Sequence, residues 1–228
     1  MKRVVSLLVG AALLLLAPAA RADQVIPLPG NTNVRAPVTS YVALRFKQVV
    51  KQGYDVSCGA AALATLLTYY YGIKIGEKEV IDRIFAKSTD EQKQKINAYG
   101  FSMLELKRLG EDLGFAAGGF RIDGAEKLAK LSIPALTLIT VRGYAHFVVL
   151  KGIYRGQVYI ADPAFGNRSR PLDRFAEEWD GVILVLVNEQ VQANHEFSPE
   201  GSLSGRPQDV IPLIDRYGAP YTPSTGEF

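Results

Sequence analysis

The chain has 228 residues, 48% of them hydrophobic and 21% charged, an ordinary globular balance that excludes a disordered or collagen-like protein. A single cysteine, Cys58, excludes an internal disulfide framework and any multi-cysteine zinc or iron–sulfur site. Only two histidines, His146 and His195, are present, and phosphate-cradling glycine motifs are missing, so neither a metal nor a nucleotide cofactor is expected.

The N-terminus reads as an address. Lys2 and Arg3 precede the apolar run Val4–Ala17, and Ala20-Arg21-Ala22 follows with the small residues a signal peptidase needs. That run is 14 residues, short of the roughly 20 that span a bilayer. Residues 1–22 are therefore expected to be a signal peptide. Its removal takes away Lys2, Arg3 and Arg21 and leaves 23 residues of each charge sign. A neutral mature chain points to no nucleic-acid or anionic-membrane partner.

Residues 23–40, with Pro27, Pro29 and Pro37, read as a linker or arm. Next, Leu63, Leu66, Leu67 and Tyr70 repeat at helical spacing and predict a helix over Cys58–Tyr71, with Ser57 as N-cap and Gly72 as stop. The run Tyr69-Tyr70-Tyr71 is expected to face the core. Val80, Ile81, Ile84 and Phe85 predict a second helix over Glu77–Ala86. Ser102-Met103-Leu104-Glu105 is a capping box that opens a third, and Asp123 is expected to cap a short fourth. Thereafter Pro134–Val141, Ala145–Tyr154, Gln157–Ile160 and Val182–Val187 are short β-branched runs broken by Gly143, Gly156 and a Pro163/Gly166 turn. Helices first and strands second is an α+β layout with a mainly antiparallel sheet. Residues 41–188 form the domain. Residues 189–228, rich in Pro and Gly, read as an extended or partly disordered extension.

An exported thiol without a partner is prone to oxidation, so the position of Cys58 is informative. It falls outside the apolar stripe, in the first turn of the predicted helix, where unpaired N–H groups and the macrodipole favour a thiolate. Gly59 follows and is expected to leave room for a substrate backbone. The base that a nucleophilic cysteine requires is assigned to His146, at the start of a strand, because His195 lies in the Pro-rich tail. Asp162 ends the next strand and is expected at the same sheet end, placed to orient the imidazole. Gln52, six residues before Cys58, offers an amide to a developing oxyanion.

Four segments carry these residues in order: Gln52-x5-Cys58-Gly59-x-Ala61-x-Leu63, Ala145-His146-Phe147-Val148-Val149-Leu150, Val158-x-Ile160-x-Asp162-Pro163-x-x-Gly166 and Phe175-x3-Trp179-x-Gly181-Val182. Together they resemble the double-glycine leader peptidases, papain-like cysteine peptidases found at the N-termini of bacteriocin exporters. The resemblance covers Phe46–Val187. It implies a papain-like α+β fold with Cys58 as nucleophile, His146 as base, Asp162 as orienting acid and Gln52 as oxyanion donor. It also implies cleavage after Gly-Gly. Unlike the exporters, this chain is expected to carry a signal peptide and a C-terminal extension and to lack a membrane or ATPase domain. Ser57 stands where many relatives have Asp. The layout is similar to soluble members that accompany functional-amyloid secretion. That implies a periplasmic location and, as partners, an exported protein or peptide substrate, outer-membrane secretion components or amyloid subunits. Two other uses stay open on the residues alone: a non-hydrolytic binding module using the same cleft, and a cell-wall peptidase or amidase.

Overall fold

The computed structural model describes residues 23–28, 32–37 and 40–199. Residues 1–22, expected to be a signal peptide, and residues 200–228 lie outside the described residues. The segment read as a linker contains two strands, β1 (Asp23–Leu28) and β2 (Thr32–Pro37), paired antiparallel with Asp23 opposite Pro37. Proline is tolerated there because each strand of a two-stranded sheet has a free edge. A five-residue helix, α1 (Tyr41–Arg45), follows. By contacts the chain divides at Leu44, and the unit from Arg45 onward holds the remaining helices and the main sheet.

Helix α2 (Cys58–Thr65) is a run of small residues and leucine, and Gly59 to Thr65 are all buried. The expected helix reaches Tyr70, but its last turn, Leu66–Tyr70, is π-helical, and Gly72 ends it at φ 71°. Tyr70 and Tyr71 are buried as expected, and the Tyr71 hydroxyl donates to the Leu186 carbonyl. Helix α3 (Glu77–Lys87) turns Val80 and Ile84 inward. Helix α4 (Asp90–Tyr99) buries only Ile96, which is why its sequence lacks an apolar stripe and no helix is expected there. Its start is instead fixed by a capping box between Thr89 and Gln92. The box at Ser102 opens α5 (Met103–Asp112), with Ser102 N–H donating to Glu105 at 2.6 Å.

The six-stranded antiparallel sheet comprises β3 (Ala116–Arg121), β4 (Ala135–Val141), β5 (Tyr144–Tyr154), β6 (Gln157–Asp162), β7 (Gly166–Pro171) and β8 (Trp179–Val187), in the order β3-β8-β4-β5-β6-β7. Strands β3 and β7 have no alternating apolar pattern because they lie at the edges, and sequence periodicity misses them. A 3₁₀ turn, Ala125–Lys130, starts after Gly124 rather than at an Asp123 cap. Helix α6 (Leu172–Glu178) precedes β8.

Both sheet faces are covered. On one, Leu63, Leu66, Val80 and Leu106 pack with Phe147, Val149, Leu184 and Leu186. On the other, Leu128 and Phe175 pack with Ile139, Val148, Leu150 and Ile160. Each such fully buried side chain contributes about 2 kcal/mol. Residues 189–199 of the extension, expected to be extended or partly disordered, fold back onto the domain. Asn194 N–H donates to the Tyr70 carbonyl at 2.7 Å, and Phe197 is buried against Tyr70. The unpaired carbonyls at the end of the π-helical turn supply those acceptors.

Candidate active site

Two tight turns aim the sheet at the site. Arg142-Gly143 joins β4 to β5 and Arg155-Gly156 joins β5 to β6, with all four residues at positive φ (53°, 82°, 49° and 72°). That is the two-residue hairpin turn whose twist matches the strands, and it fixes the register. The β5–β6 register then shifts by one residue between Leu150 and Gly152, at a bulge on Lys151. Val149 pairs with Ala161, so Asp162 falls opposite Val148 and on the face that His146 shares. Without the bulge, Asp162 would fall opposite Val149 and point to the other face.

His146 and Asp162 meet: Nε2 lies 3.0 Å from Oδ2. An ionised carboxylate only accepts, so Nε2 carries a proton here, and in the neutral ring Nδ1 is the nitrogen with the lone pair. Asp162 is fully buried and satisfied on both oxygens. Its Oδ1 accepts the backbone N–H groups of Ala164 (2.9 Å) and Phe165 (3.0 Å), and Oδ2 also accepts Arg168 Nη2 at 2.6 Å. Burial alone would raise this carboxyl. The His146 hydrogen bond and the Arg168 charge outweigh it and hold the group below the usual carboxylate range.

Cys58 comes from the opposite side. It is the first residue of α2, on the helical face of the sheet, and its Sγ accepts the N–H of Phe147 at 3.4 Å. The sulfur is thus tied to the residue immediately after His146. Burial pushes the thiol above its ordinary value, and the charge of Asp162 adds to this. The N–H groups of Phe147 and Gly59 oppose it without prevailing. The helix N-terminus therefore does not by itself make a thiolate, contrary to expectation. Desolvation exceeds what a few N–H groups return. Nor does Gly59 make room for substrate. A Cβ there would sit 3.2 Å from Leu106, Phe101 and Phe147, so the glycine lets α2 pack closely on β5 and α5.

Gln52 is docked beside Asp162, its backbone N–H donating to the Pro163 carbonyl at 3.0 Å. Its side-chain Nε2 donates to the Tyr54 carbonyl at 2.8 Å. A primary amide has two hydrogens, so this bond uses one and orients the other. The loop from Gln52 to Cys58 is held by Glu77 of α3, which sequence reasoning missed. Glu77 accepts Gly53 N–H (2.9 Å to Oε2) and the Ser57 hydroxyl (2.6 Å to Oε1). Ser57 also lies 2.7 Å from the Tyr54 carbonyl and makes no capping bond to the helix. Between them Val56 is held at φ 54°, a strained conformation for a β-branched residue, costing on the order of 1–3 kcal/mol. A groove of about 510 Å³ opens beside the sulfur, lined by Val56, Tyr99, Phe101, Leu138 and Phe147 with Cys58 itself. His195 lies elsewhere, in a separate cavity beside Lys151 and Phe197. Among the described residues no cluster of His, Cys, Asp and Glu could hold a metal ion.

A thiol, an imidazole oriented by a buried carboxylate, and an amide-bearing loop at the end of an antiparallel sheet define a papain-like cysteine peptidase architecture. The chain belongs to the Peptidase C39 family, whose model matches residues 47–190. It is 39% identical over 180 residues to the probable functional amyloid protease FapD of Pseudomonas aeruginosa, covering 78% of each chain. It is 36% identical to the protein of that name from Pseudomonas fluorescens, covering 85% of each. A lactococcin-G-processing and transport ATP-binding protein, LagD of Lactococcus lactis, is 30% identical over 60% of this chain and 18% of its own length. Among solved structures, the peptidase domain of Streptococcus ComA shares the fold. Its TM-score is 0.51 at 22% identity, covering 62% of this chain and 98% of that one.

Proposed function

We propose that this peptidase is a thiol hydrolase exported by its N-terminal signal to the periplasm. There it cuts a peptide bond in an exported protein, after small residues such as Gly-Gly. His146 Nδ1 takes the Cys58 proton, and the sulfur attacks the substrate carbonyl. The Cys58 N–H and the Gln52 amide hold the oxyanion. The proton then passes from His146 to the leaving amine, and water hydrolyses the thioester. A thiol raised by burial needs this base at the moment of attack. The observation that carries the reading is the adjacency on β5: Phe147 holds the Cys58 sulfur while His146 holds Asp162. The functional-amyloid name of the Pseudomonas relatives supports a substrate linked to functional amyloid.

The test uses purified mature protein and a comparison of protein N-termini in cells with and without Cys58. Cys58→Ala is expected to abolish cleavage, and Gln52→Ala to lower kcat about 10²–10³-fold. Iodoacetamide is expected to modify Cys58 and stop turnover. Unchanged cleavage by Cys58→Ala would reject the reading. Intact secretion with the folded Ala variant, and no cleavage by either protein, would show a binding module instead.

A further inference from the structure

Arg168 lies on β7, opposite Ile160 of β6, so it is diagonal to Asp162 and on the same face. Its Nη2 reaches Asp162 Oδ2 at 2.6 Å, the same oxygen that His146 Nε2 approaches at 3.0 Å. The guanidinium also stacks over the Phe165 ring at 4.9 Å, and that ring meets the His146 ring edge-on with centroids 6.2 Å apart. Phe165 is itself fixed: its N–H donates to Asp162 Oδ1, and its carbonyl accepts from Arg45. One cation thus touches both the orienting carboxylate and the aromatic wall of the imidazole.

We propose that Arg168 is a positioning residue of this site: its guanidinium, bonded to the oxygen that holds His146, sets how much of the Asp162 charge the imidazole and the thiol feel. The proposal rests on the peptidase reading for its purpose, but its test does not need a substrate.

The electrostatics give a sign. The charge of Asp162 disfavours the Cys58 thiolate. Arg168 offsets that charge at its source. Asp162 faces Arg168 from β7 and His146 from β5. Around Arg168 the further charges are Arg170 on the same strand, Glu178 at the end of α6, and Arg45. Removing the Arg168 cation leaves the carboxylate uncompensated. The thiol then loses its proton at higher pH, so the alkylation profile of Cys58 moves up the pH axis. A residue that only braced the β6–β7 turn would lower the rate at every pH and leave the midpoint where it is.

The experiment is the rate of Cys58 alkylation by iodoacetamide against pH, for the mature wild-type chain, Arg168→Gln and Arg168→Lys, with circular dichroism as the check on folding. For Arg168→Gln the midpoint is expected to rise by about half to one pH unit. Arg168→Lys keeps a cation without the planar fork, so its midpoint stays with the wild type while its rate falls. A Gln variant that is folded and superimposable on the wild type in midpoint overturns the proposal. A Lys variant whose midpoint rises by the full amount overturns it too, and this decides the matter if the Gln variant does not fold. Failure of the peptidase reading would appear separately, as cleavage by Cys58→Ala.

Discussion

Four donors converge on Asp162, and no part of that carboxylate reaches water. A buried charge is tolerable only when its bonds are complete, so each donor holds the others in place. The consequence is a pH dependence of defined sign. The folded carboxyl lies below its unfolded value of 3.8, so its contribution to stability is fully present above that value. It is lost as pH falls through the folded value. Urea midpoints of the wild type and Asp162→Asn are therefore expected to be well separated near neutrality and to converge as pH falls below about 4. A separation that stays constant down to about pH 2 would show that the charge contributes nothing.

At the scale of elements, the loop before α2 is the least regular part of the site and the most tightly latched. Gly53, near one end, and Ser57, at the other, are both bonded to Glu77, so α3 holds the segment that carries Gln52 toward Cys58. The strain at Val56 persists because that latch over-determines the loop. Ser57→Ala is expected to lose about 1–2 kcal/mol of stability. It is also expected to lower kcat more than it raises KM, because under the proposed role of Gln52 its amide meets the oxyanion only in the transition state. Steady-state kinetics alongside a urea melt check both. A stability loss with kcat unchanged would confine Glu77 and Ser57 to scaffolding. Sequence periodicity does not reveal this latch. Glu77 lies at the start of an amphipathic helix, where an acid is already explained by the dipole.

Across the whole molecule, the remote segment 188–199 bears on the site through the β5 bulge. Phe197 is buried, and Lys151, the bulged residue, places its ammonium 4.4 Å from that ring. Burial pushes Lys151 down to about 8, so the bulge carries a costly group that the aromatic ring offsets. Phe197→Ala is expected to cost about 3–5 kcal/mol. Because the bulge sets the face of Asp162, the same variant is expected to slow Cys58 alkylation while still folded. Thermal melts and alkylation rates measure the two effects. Loss of stability with no change in alkylation would separate the bulge from the segment that covers it.

Composition and motif order determined a great deal here. The lone cysteine, the single strand histidine, the acid closing the next strand and the turns at Gly143 and Gly156 are local features, and local features are written in consecutive residues. They were enough to name His146 and Asp162 as neighbours and to place Cys58 at a helix start. Edge strands β3 and β7, helix α4 and Arg168 were not legible, because an element buried on one margin or not at all leaves no apolar rhythm. Only the tertiary structure decided that one extra residue at Lys151 turns Asp162 toward His146, and that desolvation outweighs the helix N-terminus at Cys58. Both depend on what packs around a residue from far along the chain. A parity change and a dielectric environment are set by those neighbours, not by the residues beside them in sequence.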